Sequence, residues 1–314
     1  MPDPLRTLVA GVAVPEPDDP AIAPALRLAA RTGATLHLVH VDADADASDE
    51  AALQVGMGGT LRPTPRTAEM AERIRAAAER AADVSLRISV LPGRPGEVLP
   101  HYAASVGADL LLLAPTRWTG AAGAVMGTAS RVLRASTVPI LVLRDPLPGR
   151  SASRVLFPTD LSEHSARALP RGAALAAALA GTNHPLLRPF FVSPVDGELG
   201  PAPGELEQAE VELAGFLASL PSAPWTDAEV RPGSAAREVL REVREWQADL
   251  VVLGTHGRRG LPRFFLGSVA ETVLRKAPCS ALVIPPRPVL VPLPAAEPGW
   301  LAAPSWPGFA GAAG

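Results

Sequence analysis

The chain has 314 residues, of which 47% are hydrophobic and 19% charged, and its formal net charge is −3. This is the composition of a globular protein large enough for two domains, and the slight negative charge argues against binding to nucleic acid or an anionic membrane. Cys279 is the only cysteine, which excludes an internal disulfide and a cysteine-based zinc site. Since there is no secretion signal and no apolar run of the roughly 18 residues that a membrane helix needs, we expect a cytoplasmic protein without membrane contact.

Residues 1–147 alternate apolar runs of strand length with segments of helical periodicity. We predict strands over 7–13, 35–41, 85–90, 110–114 and 140–143, and helices over 21–32, 67–82, 96–106 and 127–135. Such alternation is typical of βαβ units around a parallel sheet. Prolines and a glycine in residues 145–151 stop both helix and strand, so we place the domain boundary near residue 150.

Residues 152–288 follow the same plan. We predict strands over 155–158, 186–192, 228–230, 250–254 and 281–284, and helices over 162–180, 205–220, 235–246 and 268–276. Residues 289–314 are rich in proline and glycine and have no periodicity. We expect this tail to be disordered, with docking through Trp300 and Trp306 as the alternative.

The two segments are copies of each other. ADLLLL at 108–113 recurs as ADLVVL at 248–253, and Gly127-Thr128 recurs as Gly267-Ser268 at the same offset. A period of about 140 residues is the size of a domain and far exceeds that of a solenoid repeat. We therefore predict two tandem α/β domains.

Glycines follow the fourth predicted strand of the second copy, in GTHGRRGLPRFFLGS at 254–268. Gly254 ends the strand, Gly257 permits a tight turn, and Gly267 precedes Ser268, which we expect to cap the next helix. Backbone N–H groups at the carboxyl edge of a parallel sheet can bind phosphate, especially at a helix N-terminus. The alternative is that these glycines only punctuate a connection between a strand and a helix.

The spacing Gly254-x2-Gly257-x9-Gly267-Ser268 matches the ATP signature G-2x-G-9x-G-[ST] of universal stress proteins. The similarity continues through VLFPTDLSEHSARAL at 155–169, GSAAREVL at 233–240 and GSVAETVLRKAPC at 267–279. The chain thus resembles a tandem universal stress protein of the UspA-like family. The resemblance implies two copies of a five-stranded parallel-sheet, Rossmann-like domain of the adenine-nucleotide α-hydrolase-like type.

The family resemblance also implies a ligand and a mode of pairing. Some members bind ATP or AMP, with Mg²⁺ as a companion of the triphosphate. Members pair through the last strand, which implies a pseudo-dimer within this chain through 140–143 and 281–284, with a homodimer as a further option.

Carried onto this sequence, the resemblance implies a set of nucleotide-binding residues. Asp160 and Thr159 would meet the nucleoside, and the backbone of Val192 would line the adenine pocket. The phosphates would lie on Gly254, Gly257, Gly267, Ser268 and Val269. A carboxylate is a good double acceptor for ribose hydroxyls, but Asp160 is equally suited to an Asx turn or a helix N-cap.

The first copy lacks most of these residues. Ala13 stands where Asp160 is expected, Ala114 replaces Gly254, and Arg117 replaces Gly257. A side chain at the Gly257 position would project into the phosphate loop or strain its turn. We therefore predict that the second domain binds nucleotide and that the first binds little or none.

The remaining polar residues do not form a catalytic or metal-binding set. His37 and His40 fall on opposite faces of one strand, which is wrong for a metal pair, and the Arg and Glu residues of 237–245 are expected to form a solvated helix surface. We expect no catalytic residues and slow ATP hydrolysis at most. The sequence favours a cytoplasmic ATP-binding protein of stress response or regulation, and the alternative is a ligand-free interaction scaffold on the same duplicated fold.

Overall fold

The computed structural model describes residues 5–13, 19–43, 65–78, 83–114, 126–144, 154–181, 184–194, 201–221, 225–255 and 266–286. The first half, residues 5–144, contains β1 (Thr7–Val12), α1 (Ile22–Thr32), β2 (Thr35–Asp42), α2 (Pro65–Ala78), β3 (Leu86–Pro92), α3 (Pro95–Ser105), β4 (Leu110–Leu113), α4 (Met126–Ala135) and β5 (Ile140–Val142). The second half, residues 154–286, contains β6 (Arg154–Thr159), α5 (Glu163–Ala180), β7 (Leu186–Ser193), α6 (Glu205–Ala218), β8 (Glu229–Pro232), α7 (Ala235–Glu245), β9 (Leu250–Gly254), α8 (Ser268–Lys276) and β10 (Ser280–Ile284).

The predicted fold class is confirmed, and every predicted strand and helix is present. The five strands of each half are mutually parallel, in the order β3-β2-β1-β4-β5 and β10-β9-β6-β7-β8. The central strands β4 and β9 are continuous apolar runs, as expected of parallel strands covered on both faces. The expected tail at 289–314, with Trp300 and Trp306, lies outside the described residues.

The two halves join into one ten-stranded sheet. β5 and β10 pair antiparallel, with Leu141 opposite Leu282, so a pseudo-twofold axis passes between these two residues. This is the pairing within the chain that the resemblance implied. Since β5 and β10 each have a strand on both sides, neither offers a free edge to a second chain.

The hydrophobic core runs without a break from one half into the other. One buried cluster lies on the sheet face covered by α1 and α5 and contains residues from Leu5 to Ile284. The other lies on the face covered by α3, α7 and α8 and also draws on both halves. The halves therefore share apolar burial and do not meet through a polar surface.

The aspartate of the repeated ADL motif has a structural role in both halves. Asp109 precedes β4, and its Oδ2 accepts hydrogen bonds from the backbone N–H groups of Arg6 and Thr7 at 2.8 and 2.9 Å. Asp249 precedes β9, and its Oδ2 accepts from the N–H of Arg154 at 2.9 Å. Each aspartate thus ties the start of its half's first strand to the neighbouring strand.

Candidate functional site

The candidate site lies at the carboxyl edge of the second half, where β6 and β9 are neighbours. The chain proceeds from β6 outward to β7 and β8, and then returns to place β9 on the other side of β6. This is the topological switch point at which open parallel sheets bind ligands, because the connections leave β6 and β9 in opposite directions. Asp160 follows β6, and Gly254 ends β9.

Asp160 forms the turn between β6 and α5. Its Oδ1 accepts hydrogen bonds from the N–H of Ser162 at 3.1 Å and from the hydroxyl of Ser165 at 2.7 Å. The Asx turn considered as an alternative is therefore present. The same bonds hold the carboxylate in one orientation at the end of the strand, so a role in the turn and a role toward a ligand are compatible.

The turn after Asp160 is held in a strained conformation. Leu161 has φ of 62°, which is unfavourable for a bulky residue and costs on the order of 1–3 kcal/mol. Its N–H donates to Oγ1 of the buried Thr159 at 3.1 Å, and its side chain packs against Phe191 and Leu213. Packing and this hydrogen bond stabilise a backbone shape that the sequence alone does not favour.

The segment from β9 to α8 closes on itself. The N–H of Gly267 donates to the carbonyl of Thr255 at 3.0 Å, so the start of α8 lies beside the end of β9. Thr255 is buried, and a Cβ built on Gly267 would lie 3.7 Å from its carbonyl oxygen, an ordinary contact. A small side chain at position 267 would therefore not clash with the rest of the protein. Gly257 lies outside the described residues.

The helix α8 begins where it was predicted, but the expected cap is different. The N-cap is Gly267, and Ser268 is the first helical residue, so its hydroxyl does not cap the helix. The first intrahelical bond runs from the N–H of Glu271 to the carbonyl of Gly267 at 2.9 Å. The N–H groups of Ser268 and Val269 precede this bond and belong to the free first turn, where the helix dipole favours an anion.

Val192 lies near the end of β7, adjacent to the β6 turn. Its register partner on β8 is Arg231, and the pairing of β7 with β6 ends one residue earlier, at Phe191 opposite Thr159. The Val192 side chain is buried in the core. The role of its backbone toward a ligand stays a prediction.

The same edge of the first half is built differently. At the end of β1, Ala13 donates its N–H to Oδ2 of the buried Asp19 at 2.8 Å, and the N–H of Ala21 donates to Oδ1 at 2.8 Å. At the end of β2, the buried Asp42 forms an ion pair with Arg66 at 3.1 Å. Carboxylates at this edge thus bind groups of their own half. Ala114 follows β4, and Arg117 lies outside the described residues.

The sequence did not predict a buried ion pair in the second half, and the solvated surface expected for its helix, α7, was wrong. Glu238 and Glu242 were expected on a solvated surface of α7, but they are 5% and 1% exposed. Oε1 of Glu242 lies 2.7 Å from Nη1 of Arg188, and its Oε2 contacts the guanidinium of Arg231. The signal was an arginine in the middle of an apolar strand, since Arg188 needs a buried partner there.

The histidines of β2 are buried. Nδ1 of His37 lies 2.9 Å from the Tyr102 hydroxyl, and Nδ1 of His40 lies 2.9 Å from the carbonyl oxygen of Val12. Burial, together with the charge of Arg87, lowers the pKa of His37 to about 4. Within the described ranges, no group of three or more His, Cys, Asp or Glu side chains is arranged to hold a metal ion.

Comparison with known proteins places the chain among related sequences. The model of the universal stress protein family matches residues 4–144 and 152–285. A universal stress protein of Methanocaldococcus jannaschii is 45% identical over 56 residues, covering 18% of this chain and 33% of that protein. One from Thermus aquaticus is 34% identical over 137 residues, covering 41% of this chain and 96% of that protein. The chain thus spans a third of the first relative and nearly all of the second.

Solved structures agree with the fold over most of the chain. A putative universal stress protein from Pseudomonas aeruginosa has a TM-score of 0.63 at 19% identity and covers 90% of this chain and 94% of its own. A universal stress protein from Archaeoglobus fulgidus has a TM-score of 0.55 at 19% identity, with coverages of 89% and 96%.

Among the described residues, no helix is both long and apolar enough to cross a bilayer.

Proposed function

The chain belongs to the universal stress protein family, and from this premise we propose that it is an ATP-binding regulatory protein of the stress response whose nucleotide site lies in the second half. The observation that carries the proposal is the 3.0 Å hydrogen bond from the N–H of Gly267 to the carbonyl of Thr255. It brings the N-terminus of α8 to the end of β9, and the Asp160 turn follows the neighbouring strand β6. This supports a site in which N–H groups suited to phosphate and a carboxylate suited to ribose hydroxyls share one edge.

Each residue of the site has a role in this proposal. The Asp160 carboxylate accepts from the ribose hydroxyls, with Thr159 behind it, while the backbone of Val192 lines the adenine. The phosphates lie against the backbone of Gly254, Gly257 and Gly267, and against the N–H groups of Ser268 and Val269. ATP and AMP share the nucleoside part of this site, and Mg²⁺ would accompany the triphosphate charge.

We propose binding and not catalysis as the primary activity. We expect slow hydrolysis at most, because positioning and charge stabilisation are what the proposed site would supply. Bound nucleotide would stabilise the second half and so bias its association with partners. We place this activity in the cytoplasm, with the two halves of one chain as the pseudo-dimer.

The test is calorimetric titration of the full-length protein with ATP. Asp160→Asn keeps an Oδ1 acceptor for Ser162 and Ser165 but removes the charge, so the turn survives and the ribose contact weakens. We expect a dissociation constant about tenfold higher, because hydrogen bonds to charged groups are worth roughly 1.5–3 kcal/mol. Asp227→Asn, at an exposed loop position, is the matched control and should bind like the unmodified protein.

A second variant tests the phosphate side. Gly254→Val places a branched side chain at the end of β9 and should remove ATP binding while thermal denaturation shows a folded protein. Equal affinities of the unmodified protein, Asp160→Asn and Gly254→Val would refute the second-half site. No ATP binding by the unmodified protein, with no thermal stabilisation at millimolar ATP, would overturn the function itself and leave the interaction scaffold.

A further inference from the structure

Two helices of the second half begin at the candidate nucleotide site. α5 follows the Asp160 turn, with Ser162 as its N-cap, and α8 follows Gly267. Their opposite ends therefore point away from the site, toward the first half. The C-terminal carbonyl groups of a helix lack intrahelical donors and carry partial negative charge, so they are natural contacts for a cation.

Arg144 of the first half binds the C-terminal end of α8. Its guanidinium donates to the carbonyl oxygens of Leu274 and Arg275, the latter at 3.1 Å. Its backbone N–H donates to Oγ of Ser280 at 3.0 Å. α8 is nine residues long and buries Ala270, Val273 and Leu274, so this contact adds to the apolar packing that holds a short helix.

Arg31 of the first half binds the C-terminal end of α5 in the same way. Its guanidinium donates to the carbonyl of Leu179, and its Cδ would lie 3.5 Å from a Cβ built on Gly181, the residue that ends the helix. Burial lowers the pKa of both Arg31 and Arg144, because each side chain leaves water to make its contact. Both contacts cross from the first half into the second.

The arrangement is not reciprocal. By the pseudo-twofold axis, the position of Arg144, three residues after Leu141, corresponds to Pro285, three residues after Leu282. The position of Arg31, two residues before the left-handed Gly33, corresponds to Leu179, two residues before Gly181. Leu179 and Pro285 carry no guanidinium, so these two positions return no such contact to the first half.

We propose that the first half positions the nucleotide site of the second half. Arg31 and Arg144 are the positioning residues, and they fix α5 and α8 by binding their C-terminal ends. This inference rests on the proposed function. It assigns a role to the half that lacks the nucleotide motif, because Arg31 and Arg144 contact the two helices whose N-termini border the proposed site. Fixing both helices pre-organises their first turns and so lowers the cost of binding.

The experiment measures ATP affinity of the full chain by calorimetry for Arg31→Gln, Arg144→Gln and the double variant. We expect the dissociation constant to rise roughly threefold for each single change and about tenfold for both. A cation at a helix C-terminus stabilises the helix modestly, and only part of that free energy is coupled to ligand binding at the N-terminus. Arg73→Gln is the control, because Arg73 is exposed on α2, pairs with Glu69 in its own helix and has the same charge. It should bind ATP like the unmodified protein.

Two further readouts separate positioning from a general loss of stability. Arg144→Lys retains an ammonium donor for the α8 carbonyls and should recover part of the affinity. Hydrogen exchange over residues 266–276, without nucleotide, should be faster in Arg144→Gln than in Arg73→Gln, while residues 154–159 of β6 exchange alike.

The outcomes distinguish the two proposals. If the unmodified protein binds ATP, but the arginine variants bind it equally well and the backbone amides of α8 exchange no faster, the positioning role is wrong and the nucleotide site stands. If the unmodified protein does not bind ATP, the proposed function is wrong, and this inference, which rests on it, is wrong as well.

Discussion

His37 and Tyr102 form a buried hydrogen bond of 2.9 Å at the place where the second half has the ion pair of Arg188 and Glu242, at 2.7 Å. His37 pairs with the third residue of β1, and Arg188 with the third residue of β6. Tyr102 and Glu242 are each the eighth residue of their helix. Each half thus has a buried polar link between its second strand and the helix above it, neutral in the first half and charged in the second.

The ion pair should make Glu242 one of the most sensitive positions of the second half. Glu242→Ala would remove the buried carboxylate that Arg188 and Arg231 share; Arg231 would keep Glu229 and Glu245, while the mostly buried Arg188 would lose this partner. We expect a loss of about 3 kcal/mol in the free energy of unfolding, measured by urea denaturation, because uncompensated buried charge is costly. Glu245→Ala, at the exposed end of the same network, should lose far less, because water screens that pair. Equal losses would contradict a special role of burial.

The neutral pair should make the first half sensitive to acid. The folded-state pKa of His37 is about 4, below the ordinary value of 6.5, so the unfolded chain takes up a proton on this residue before the folded chain does. Its contribution to stability is therefore complete above pH 6.5 and is lost as the pH falls toward 4, at no more than about 1.4 kcal/mol per pH unit. Urea denaturation across this range should show a shallower slope in His37→Gln than in the unmodified protein. His101→Gln, at an exposed position of α3, should keep the slope.

Two helical glycines should respond in opposite directions to alanine. A Cβ on Gly172 of α5 would lie 2.5 Å from Cγ1 of Val252, so Gly172→Ala should cost about 1–3 kcal/mol of stability through overpacking. A Cβ on Gly215 of α6 meets nothing within 4 Å, and Gly215→Ala should stabilise by about 0.5–1 kcal/mol, because alanine loses less backbone entropy. Thermal melts of the two variants measure both effects, and Val252→Ala should relieve the cost of Gly172→Ala.

Cys279 should be a poor nucleophile in the folded protein. Burial raises the pKa of its thiol to about 12, so little thiolate exists at pH 8. Reaction with a chromogenic disulfide reagent should be slow in buffer and fast in urea, and because the chain has a single cysteine the signal is unambiguous. Rapid reaction without urea would show that the N-terminal end of β10 opens readily.

Much of the fold could be predicted because its signals are local. Apolar runs such as 110–113 and 250–253, separated by helical periods, place the strands and helices without reference to the rest of the chain. The repeated ADL motif predicted duplication, and its structural reason is the hydrogen bonding of Asp109 and Asp249 to the first strand of each half. The glycine spacing located the candidate site at the end of β9.

Two predictions were wrong, the solvated surface of α7 and the cap of α8, because both depend on contacts with other elements of the fold. The solvated face expected for α7 carries the buried Glu242, because β7 and β8 bring Arg188 and Arg231 against it. Ser268 is not the cap of α8, because the N–H of Gly267 bonds to Thr255 and the helix begins one residue after that contact. The nucleotide-binding roles of the site residues stay predictions.

Local spacing is enough to predict the duplication, the order of the strands and helices, and the half that retains the glycine motif. The shared sheet and core, the buried carboxylates of α7, and the contacts of Arg31 and Arg144 with α5 and α8 became visible only in the folded chain. Burial and hydrogen bonding depend on which surfaces meet: Arg188 and Glu242 are 54 residues apart in the chain, and Arg31 and Leu179 are 148 apart.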